Sequence, residues 1–558
     1  MAKVSGSQLI ARALRAEGVD TIFSIAGDHF LPLLDVLVDE PIRLVDTRHE
    51  QGAVHMADAW ARIKGRAGVV MSTTPGHANA IPGLANAIHS EAPIVNITGS
   101  AESTNLGRGA MQEFDQVGVA APVTKGAWQV PSAARIPEYI ALAFRTAMNG
   151  RRGPVHLTIP VDLQVEEVDE AVAQRYALTE HGSPRPVGGD AAQVRLAVDL
   201  LRNAQRPMIL AGTGAGATAT AGELTRLVET TRIPVFTIDS ARGLVPDSHP
   251  YCVGFGYLPL NKAVQRVREA DVVLELGQRL DYTWGYGGSP PFARDVKHIY
   301  VDPAPAQIGR ARSVAIGVAG DVGPVVTQLA DEAAKHSWRK SDWVDSLQAT
   351  RRAHQEELAE LSGLKSPMHP MFVSETLRRF IDGDTCTVFD GGDYCHFFRA
   401  SFACDQPGRW LYVSSFGMIG VGVPYALGAQ VALPDKRVVL VVGDGSFGFN
   451  GFEIDTAVRH GLNVVMVLGN NSMWGIDWQI QKGLYGRPVI TDLLPTRYDL
   501  VAQGLGGHGE LVESAAQLEP ALKRAFASNK PALVNVMVDR VISPVAEAAI
   551  SRKLGSHG

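Results

Sequence analysis

Arg437-Val438-Val439-Leu440-Val441-Val442-Gly443-Asp444-Gly445, followed after 24 intervening residues by Asn470-Asn471, is the stretch on which the fold turns. Its unbroken apolar run is the pattern of a strand buried on both faces of a parallel sheet. The glycines let the backbone turn sharply at the strand's carboxyl end, which puts Asp444 where open α/β sheets bind ligands. A second apolar run, Asn463-Val464-Val465-Met466-Val467-Leu468, delivers Asn470 and Asn471 to the same edge. One carboxylate and one amide carbonyl converging there suit Mg²⁺, whose octahedron is commonly completed by phosphate oxygens and carbonyls. The motif therefore points to a diphosphate-bearing ligand held through a small hard cation.

Outward from this motif the same alternation recurs. From Ser5 to about Glu170, short apolar runs such as Ala67 to Met71 and Ala92 to Ile97 alternate with amphipathic stretches such as Ser7 to Ala16 and Ile136 to Met148. That is the signature of a parallel sheet wrapped by helices. The Pro- and Gly-rich stretch Glu180 to Gly189 reads as a linker. A second α/β unit follows, with a helix from Asp190 to Asn203, strands Pro207 to Ala211, Val272 to Leu276 and His298 to Val301, and a closing helix from Val322 to Lys335. Beyond the polar stretch Leu361 to Pro367, a third unit has strands at Cys386 to Phe389, Val438 to Val442, Val464 to Leu468 and Ala532 to Val538. The expected layout is thus three doubly wound parallel-sheet domains over 1–182, 190–340 and 365–545, with 546–558 as a carboxyl-terminal tail able to act as a lid.

A chain of 558 residues is too long for one core and fits about three domains. Its composition, 46% hydrophobic and 20% charged, is that of a folded protein without low-complexity tracts. A net charge of -6 argues against a general nucleic-acid surface. No apolar run approaches the roughly 18 residues of a membrane helix, and Met1-Ala2-Lys3-Val4-Ser5 lacks an apolar targeting core. The expectation is a cytoplasmic protein with no membrane and no nucleic-acid partner. Cys252, Cys386, Cys395 and Cys404 lack CxxC spacing and read as reduced structural thiols.

The spacing of Gly443-Asp444-Gly445 and Asn470-Asn471 resembles the signature of the thiamine diphosphate (ThDP) enzymes, and the three-unit layout resembles the ThDP decarboxylase superfamily across nearly the whole chain. The resemblance implies a pyrimidine-binding domain, a middle domain and a diphosphate-binding domain. It assigns the metal to Asp444, the Asn471 side chain and the Met473 carbonyl. It also makes Gly443, Gly445 and Ser446, with the turn Asp390-Gly391-Gly392-Asp393-Tyr394, a cradle for the diphosphate. In Arg48-His49-Glu50-Gln51-Gly52-Ala53, Glu50 resembles the family's catalytic glutamate, which shares a proton with N1′ of the aminopyrimidine so that the exocyclic nitrogen can take the thiazolium C2 proton. Ser415 to Pro424 resembles the segment that bends the cofactor. Alignment on Gly420-Val421-Gly422-Val423-Pro424 puts Ile419 at the wedge, with Met418 the alternative, and the Gly417 carbonyl toward the pyrimidine amino group.

Near the reactive carbon, Gly27-Asp28-His29 is similar to benzaldehyde lyase and makes His29 the candidate acid/base. Met111-Gln112-Glu113-Phe114-Asp115-Gln116-Val117 resembles the Gln-Glu-Phe-x-Gln-Val segment of 2-hydroxyacyl-CoA lyases, with Gln112 a hydrogen-bond partner for an intermediate hydroxyl. Thr73-Thr74-Pro75-Gly76-His77 departs from the Gly-Pro-Gly turn usual in acetolactate synthases, and His77, Trp474 and Trp478 are expected to line the substrate pocket. In the middle domain Gly212, Gly214, Arg242, Arg279 and Asp302, with Arg552 and Lys553 of the tail, are candidates for the nucleotide of CoA; FAD, or nothing, is the alternative occupant. The expected activity is a ThDP- and Mg²⁺-dependent carbon-carbon lyase that cleaves 2-hydroxyacyl-CoA to formyl-CoA and an aldehyde or ketone. The alternatives are a benzaldehyde-lyase-like or acetolactate-synthase-like carboligase and, from another class, a catalytically silent ThDP-fold scaffold. Because Glu50 and the diphosphate site lie in different domains, the resemblance implies a homodimer or homotetramer with active sites at the dimer interface.

Overall fold

Three six-stranded parallel sheets, each covered by helices, make up the fold seen in the computed structural model, which describes residues 2–176, 186–216 and 220–555. Part of the expected linker, including the boundary at 182, lies outside the described residues. By internal contacts the chain forms two compact units. One consists of 1–185, 414–432 and 450–462; the other holds the remainder.

The first unit contains strands β1 (Thr21–Ser24), β2 (Arg43–Asp46), β3 (Gly68–Ser72), β4 (Ile94–Ser100), β5 (Ala127–Gln129) and β6 (Val155–Pro160), in the spatial order β2-β1-β3-β4-β6-β5. Successive side chains face opposite sides of a strand. Val95, Ile97, Leu157 and Ile159 therefore join one apolar core with Ile22, Val69 and Met71, while Asn96, Thr98, His156 and Thr158 fill the other face. All four of those polar residues are buried, and their side chains join a hydrogen-bonded network with His77 and Gln116.

The second unit holds the other two sheets. Strands β7 (Pro207–Ala211), β8 (Val235–Thr237), β9 (Cys252–Phe255), β10 (Val272–Leu276), β11 (Lys297–Asp302) and β12 (Ile316–Ala319) run β9-β8-β7-β10-β11-β12. This is the dinucleotide-fold order, with its switch point between β7 and β10. Ile209, Leu274 and Ile299 face one core and Met208, Leu210 and Val273 the other, so these strands read as continuous apolar runs. The third sheet comprises β13 (Cys386–Phe389), β14 (Trp410–Tyr412), β15 (Val438–Gly443), β16 (Val465–Asn470), β17 (His508–Val512) and β18 (Ala532–Met537), ordered β14-β13-β15-β16-β18-β17. It repeats the topology of the first sheet strand for strand.

Two sequence expectations change. Strand β16 runs to Asn470 because its pairing with β18 continues to Asn470 opposite Met537, so only Asn471 begins the loop. The stretch from 546 is not a free tail: its described part belongs to the helix Pro544–Gly555, and Ile550 lies against Gly483 on the helix Gly475–Tyr485. No helix among the described residues is long and apolar enough to cross a membrane.

Candidate cofactor and active site

The third sheet's switch point lies between β13 and β15, where crossovers leave in opposite directions and a crevice opens at the strand ends. Asp390 to Asp393 follow β13, and Gly392, with φ of 112°, takes a conformation that excludes a side chain at tolerable strain. The helix Asp393–Ser401 starts there and directs its first amides to the crevice. Ser446 reaches across to donate to the Gly391 carbonyl at 3.2 Å. The two glycine turns are thus one structure, as a diphosphate cradle requires.

The side chains of that turn face elsewhere. Asp393 accepts a hydrogen bond from Ser543 Oγ, and burial pushes its carboxyl up to about 6. The Tyr394 ring packs under Gly469, and its buried hydroxyl has no partner among the described residues. The backbone amides of Asp393 and Tyr394, at the start of the helix, are the groups suited to a diphosphate.

Asp444 opens the helix Asp444–Asn450 and is 2% exposed. Its Oδ1 accepts from Gly445 N at 3.0 Å and its Oδ2 from Ser472 N at 2.8 Å. Burial raises its carboxyl to about 6 against the lowering effect of these amides. A buried carboxylate partnered by backbone amides fits a cation, whose charge would offset the cost of ionisation. Ser472, at φ of 54°, turns the chain so that its amide meets Asp444. The paired asparagines divide their roles. Asn470 is fully buried and donates to the Thr496 carbonyl and Asn535 Oδ1, whereas Asn471 is half-buried and its carbonyl accepts from Arg540 Nε at 2.9 Å. The Asn471 side chain can thus serve as the amide ligand; the Met473 side chain is buried beside it in sequence. A Cβ on Gly445 would lie 2.7 Å from the Trp474 ring, so glycine is required for that indole to cover the turn.

In the first unit, Glu50 begins the helix Glu50–Lys64, whose amino end is capped by His49 Nδ1 accepting from Gln51 N. Glu50 is half-buried, and its Oε2 accepts from Asn79 Nδ2 at 3.0 Å. A Cβ at Gly76 would lie 2.6 Å from Oε1, so this glycine makes room for the carboxylate. The turn ahead of Glu50 is fixed by Glu453, whose carboxylate accepts from Arg48 N and His49 N at 3.1 Å. The segment expected to supply the wedge lies close by in the same unit: Met418 Sδ is 3.8 Å from Gln51 Nε2, and the Gly420 carbonyl accepts from Asn450 Nδ2 at 2.7 Å. Sequence reasoning missed Asn79 and Glu453; nothing local marks either one, because each acts across a long sequence separation.

His29 follows β1, is 4% exposed, and has Nδ1 unpartnered; burial lowers its pKa, with Asp28 opposing, so it is neutral at neutral pH. Its backbone is held by Gln164 Nε2 donating to the His29 carbonyl at 2.8 Å. Gln112 is exposed at φ of 57°, on a loop folded by Glu113 accepting from Gly107, Gly109 and Ala110 amides. Beside this loop a cavity of about 400 Å³ is lined by Ser100, Leu106, Phe114, Gln116, Gln129 and Thr158, among others. Gln116 forms its floor: Nε2 donates to Thr74 Oγ1 and the Gly99 carbonyl, and Oε1 accepts from Thr98 and Thr158.

Several expected roles are overturned. His77 does not line a pocket: it is fully buried, stacked on His156 at 4.1 Å, with Nε2 on the Gln116 carbonyl and Nδ1 on Asn96, and burial lowers its pKa to about 4. Trp478 turns outward to Asp492 Oδ1 and is flanked by Lys482 and Arg540. In the middle sheet Arg242 is 1% exposed, paired with Asp247 and stacked over Trp410, so it is not available to a phosphate. The amides of Gly212 and Gly214 already donate to the Leu276 and Gly277 carbonyls. Asp302 is buried and accepts from Ala304 N; Arg279 is half-buried at the end of β10. Arg552 and Lys553 are exposed on the closing helix.

Residues 4–119 match the model of the thiamine pyrophosphate enzyme N-terminal TPP binding domain, 194–329 the central domain and 390–536 the C-terminal TPP binding domain. The chain belongs to the thiamine pyrophosphate enzymes. Glu50 falls in the first matched segment and Asp444 with Asn471 in the last. Among relatives, the chain is 38% identical over 536 residues to a "Probable acetolactate synthase" of Mycobacterium bovis, covering 95% of each chain. It is 30% identical over 555 residues to the 2-hydroxyacyl-CoA lyase of Arabidopsis thaliana, covering 96% of each. It is also 30% identical over 562 residues to 2-hydroxyacyl-CoA lyase 1 of Homo sapiens, covering 96% of this chain and 95% of that protein.

Proposed function

We propose that the protein is a ThDP- and Mg²⁺-dependent carbon-carbon lyase that cleaves 2-hydroxyacyl-CoA to formyl-CoA and an aldehyde or ketone, reversibly. When bound, ThDP supplies a nucleophilic carbanion and an electron sink for the bond that breaks. Asp444, the Asn471 amide and the Met473 carbonyl would hold the cation, while amides at 392–394 and that of Ser446 would receive the diphosphate. Glu50, with Asn79 donating to Oε2, would have Oε1 left to share a proton with the pyrimidine ring. His29, neutral in its buried setting, takes the substrate's hydroxyl proton, and one proton returns to the thioester carbon, so no oxidant or reductant is needed. The observation that carries the choice of reaction is Gln116. It belongs to the segment that resembles the acyl-CoA lyases, and it hydrogen-bonds Thr74, the residue that departs from the Gly-Pro-Gly turn.

An acetolactate-synthase-like carboligase is the second reading. It is favoured by the 38% identity to the mycobacterial relative and by the loss of Arg242, Gly212 and Gly214 as nucleotide contacts. The test incubates the pure protein with ThDP and Mg²⁺, offering 2-hydroxyacyl-CoAs and pyruvate separately, and identifies products by mass. Formyl-CoA supports the lyase, acetolactate replaces it with the carboligase, and no turnover of either points to the silent scaffold.

A further inference from the structure

A second buried polar cluster in the first unit has no part in the chemistry above. Asp58 lies on the helix Glu50–Lys64 and is fully buried. Its Oδ2 accepts from Tyr425 OH at 2.7 Å, Ser90 Oγ at 2.8 Å and Asn86 Nδ2 at 3.3 Å. Asn86 Nδ2 also donates to Tyr425 OH at 2.8 Å, and Asn86 Oδ1 accepts from Ser414 Oγ at 3.0 Å. Arg62, one turn along, pairs with Asp58 Oδ1 at 2.8 Å and stands over the Tyr425 ring. Ser414 and Tyr425 stand on either side of the stretch that carries Gly417, Met418 and Ile419. Asn86 and Ser90 lie on the helix Thr74–Ser90, the helix of Gly76 and Asn79.

Between its two ends this stretch is neither helix nor strand. Gly417 and Gly420 both adopt positive φ, at 74° and 86°, and Phe416 is 47% exposed with its ring stacked on His89. Two glycines within four residues leave the backbone many alternatives, so its conformation must be imposed from outside. Contacts come from the helices that hold Glu50 and its two neighbours, through Gln51, Asn86 and His89, and from Asn450, which holds the Gly420 carbonyl. Hydrogen bonds to a buried charge are strong and cooperative, and losing one partner strands the others.

We propose that Asp58, Asn86, Ser414 and Tyr425 form a clamp that fixes segment 415–421 relative to Glu50. On the ThDP reading, on which this role rests, they are positioning residues that keep the wedge in register with the catalytic carboxyl. The test uses the full chain with Tyr425→Phe and Ser414→Ala. Without cofactor, chymotryptic cleavage after Phe416 should rise about tenfold in Tyr425→Phe, the size expected for loss of a hydrogen bond to a buried charge, and less in Ser414→Ala. Cleavage after Tyr485, 73% exposed in the other unit, should stay constant and serves as the reference. With ThDP and Mg²⁺, exchange of the C2 proton in Tyr425→Phe should slow by about the same factor. Unchanged cleavage after Phe416 in both variants overturns the clamp, and a parallel rise at Tyr485 reduces it to general stability. Unchanged C2 exchange overturns the positioning role. The cleavage measurement needs no cofactor, so failure of the wild-type protein to bind ThDP counts against the functional reading alone.

Discussion

Gly76→Ala separates the folding role of the first unit from its chemistry. The added methyl group would stand 2.6 Å from Glu50 Oε1, 2.9 Å from Cγ and 3.0 Å from Cδ. To reach an ordinary contact of 3.4 Å the carboxylate must retreat by roughly 0.8 Å, and it can, because Glu50 is a jointed side chain at a helix start. Folding should therefore change little: the overlap costs about 1–3 kcal/mol at most and is offset by about 1 kcal/mol from replacing glycine within a helix. Catalysis should change a great deal, since a shift near 1 Å in a proton-sharing group costs on the order of a hundredfold. The assay pairs C2 proton exchange, followed by rapid quench and NMR, with ThDP affinity from fluorescence quenching and with the melting temperature. The expected result is a melting temperature within a few degrees of wild type, retained Mg²⁺-dependent ThDP binding, and exchange slowed about a hundredfold. Exchange within threefold of wild type would refute the assignment of Glu50, because no proton relay tolerates that displacement unnoticed.

Four further outcomes are expected. Glu50→Gln should keep ThDP and Mg²⁺ binding but abolish C2 deprotonation; isotope exchange as fast as in wild type would end its catalytic role. Asp444→Asn should remove the Mg²⁺ dependence of ThDP affinity, read by titration with and without chelator. Because the folded-state pKa of Asp444 is raised to about 6, its stabilising effect on the apo protein is greatest below the unfolded carboxylate value and is lost as pH rises through 6. Relative to wild type, the apo stability of the same variant should therefore improve between pH 4 and pH 8 by up to about 3 kcal/mol, and a stability difference that does not move with pH would contradict the uncompensated burial. Finally, Ile490 at 95% exposure, Leu494 at 78% and Phe449 at 55% expose apolar side chains of the second unit, so light scattering should give at least twice the monomer mass. A monomer retaining full ThDP-dependent turnover would rule out an active site shared between copies.

Much of this was legible along the chain because it depends on neighbours in sequence. The period of the apolar runs fixed three parallel sheets, and strands Pro207–Ala211, Val272–Leu276 and Cys386–Phe389 stand where the pattern puts them. A strand buried on both faces leaves an unbroken apolar run, and a glycine turn at its end leaves a signature that needs no partner to be recognised. The strand Val438–Gly443 and the turn at Gly443-Asp444-Gly445 are of this kind. Tertiary structure decided the pairings. His77 and Arg242 look the same in sequence whether they face a ligand or a buried partner, and here they meet His156 with Asn96, and Asp247. Asn470 and Asn471 are adjacent and chemically identical, yet strand pairing to Met537 buries one and frees the other. Gly76 and Asn79 shape the pocket of Glu50 from another helix, and Glu453 reaches its turn from some 400 positions away. Periodicity states which face of an element is buried but carries no information about what it is buried against, and for a polar side chain that unknown partner determines its charge, its orientation and its availability for chemistry.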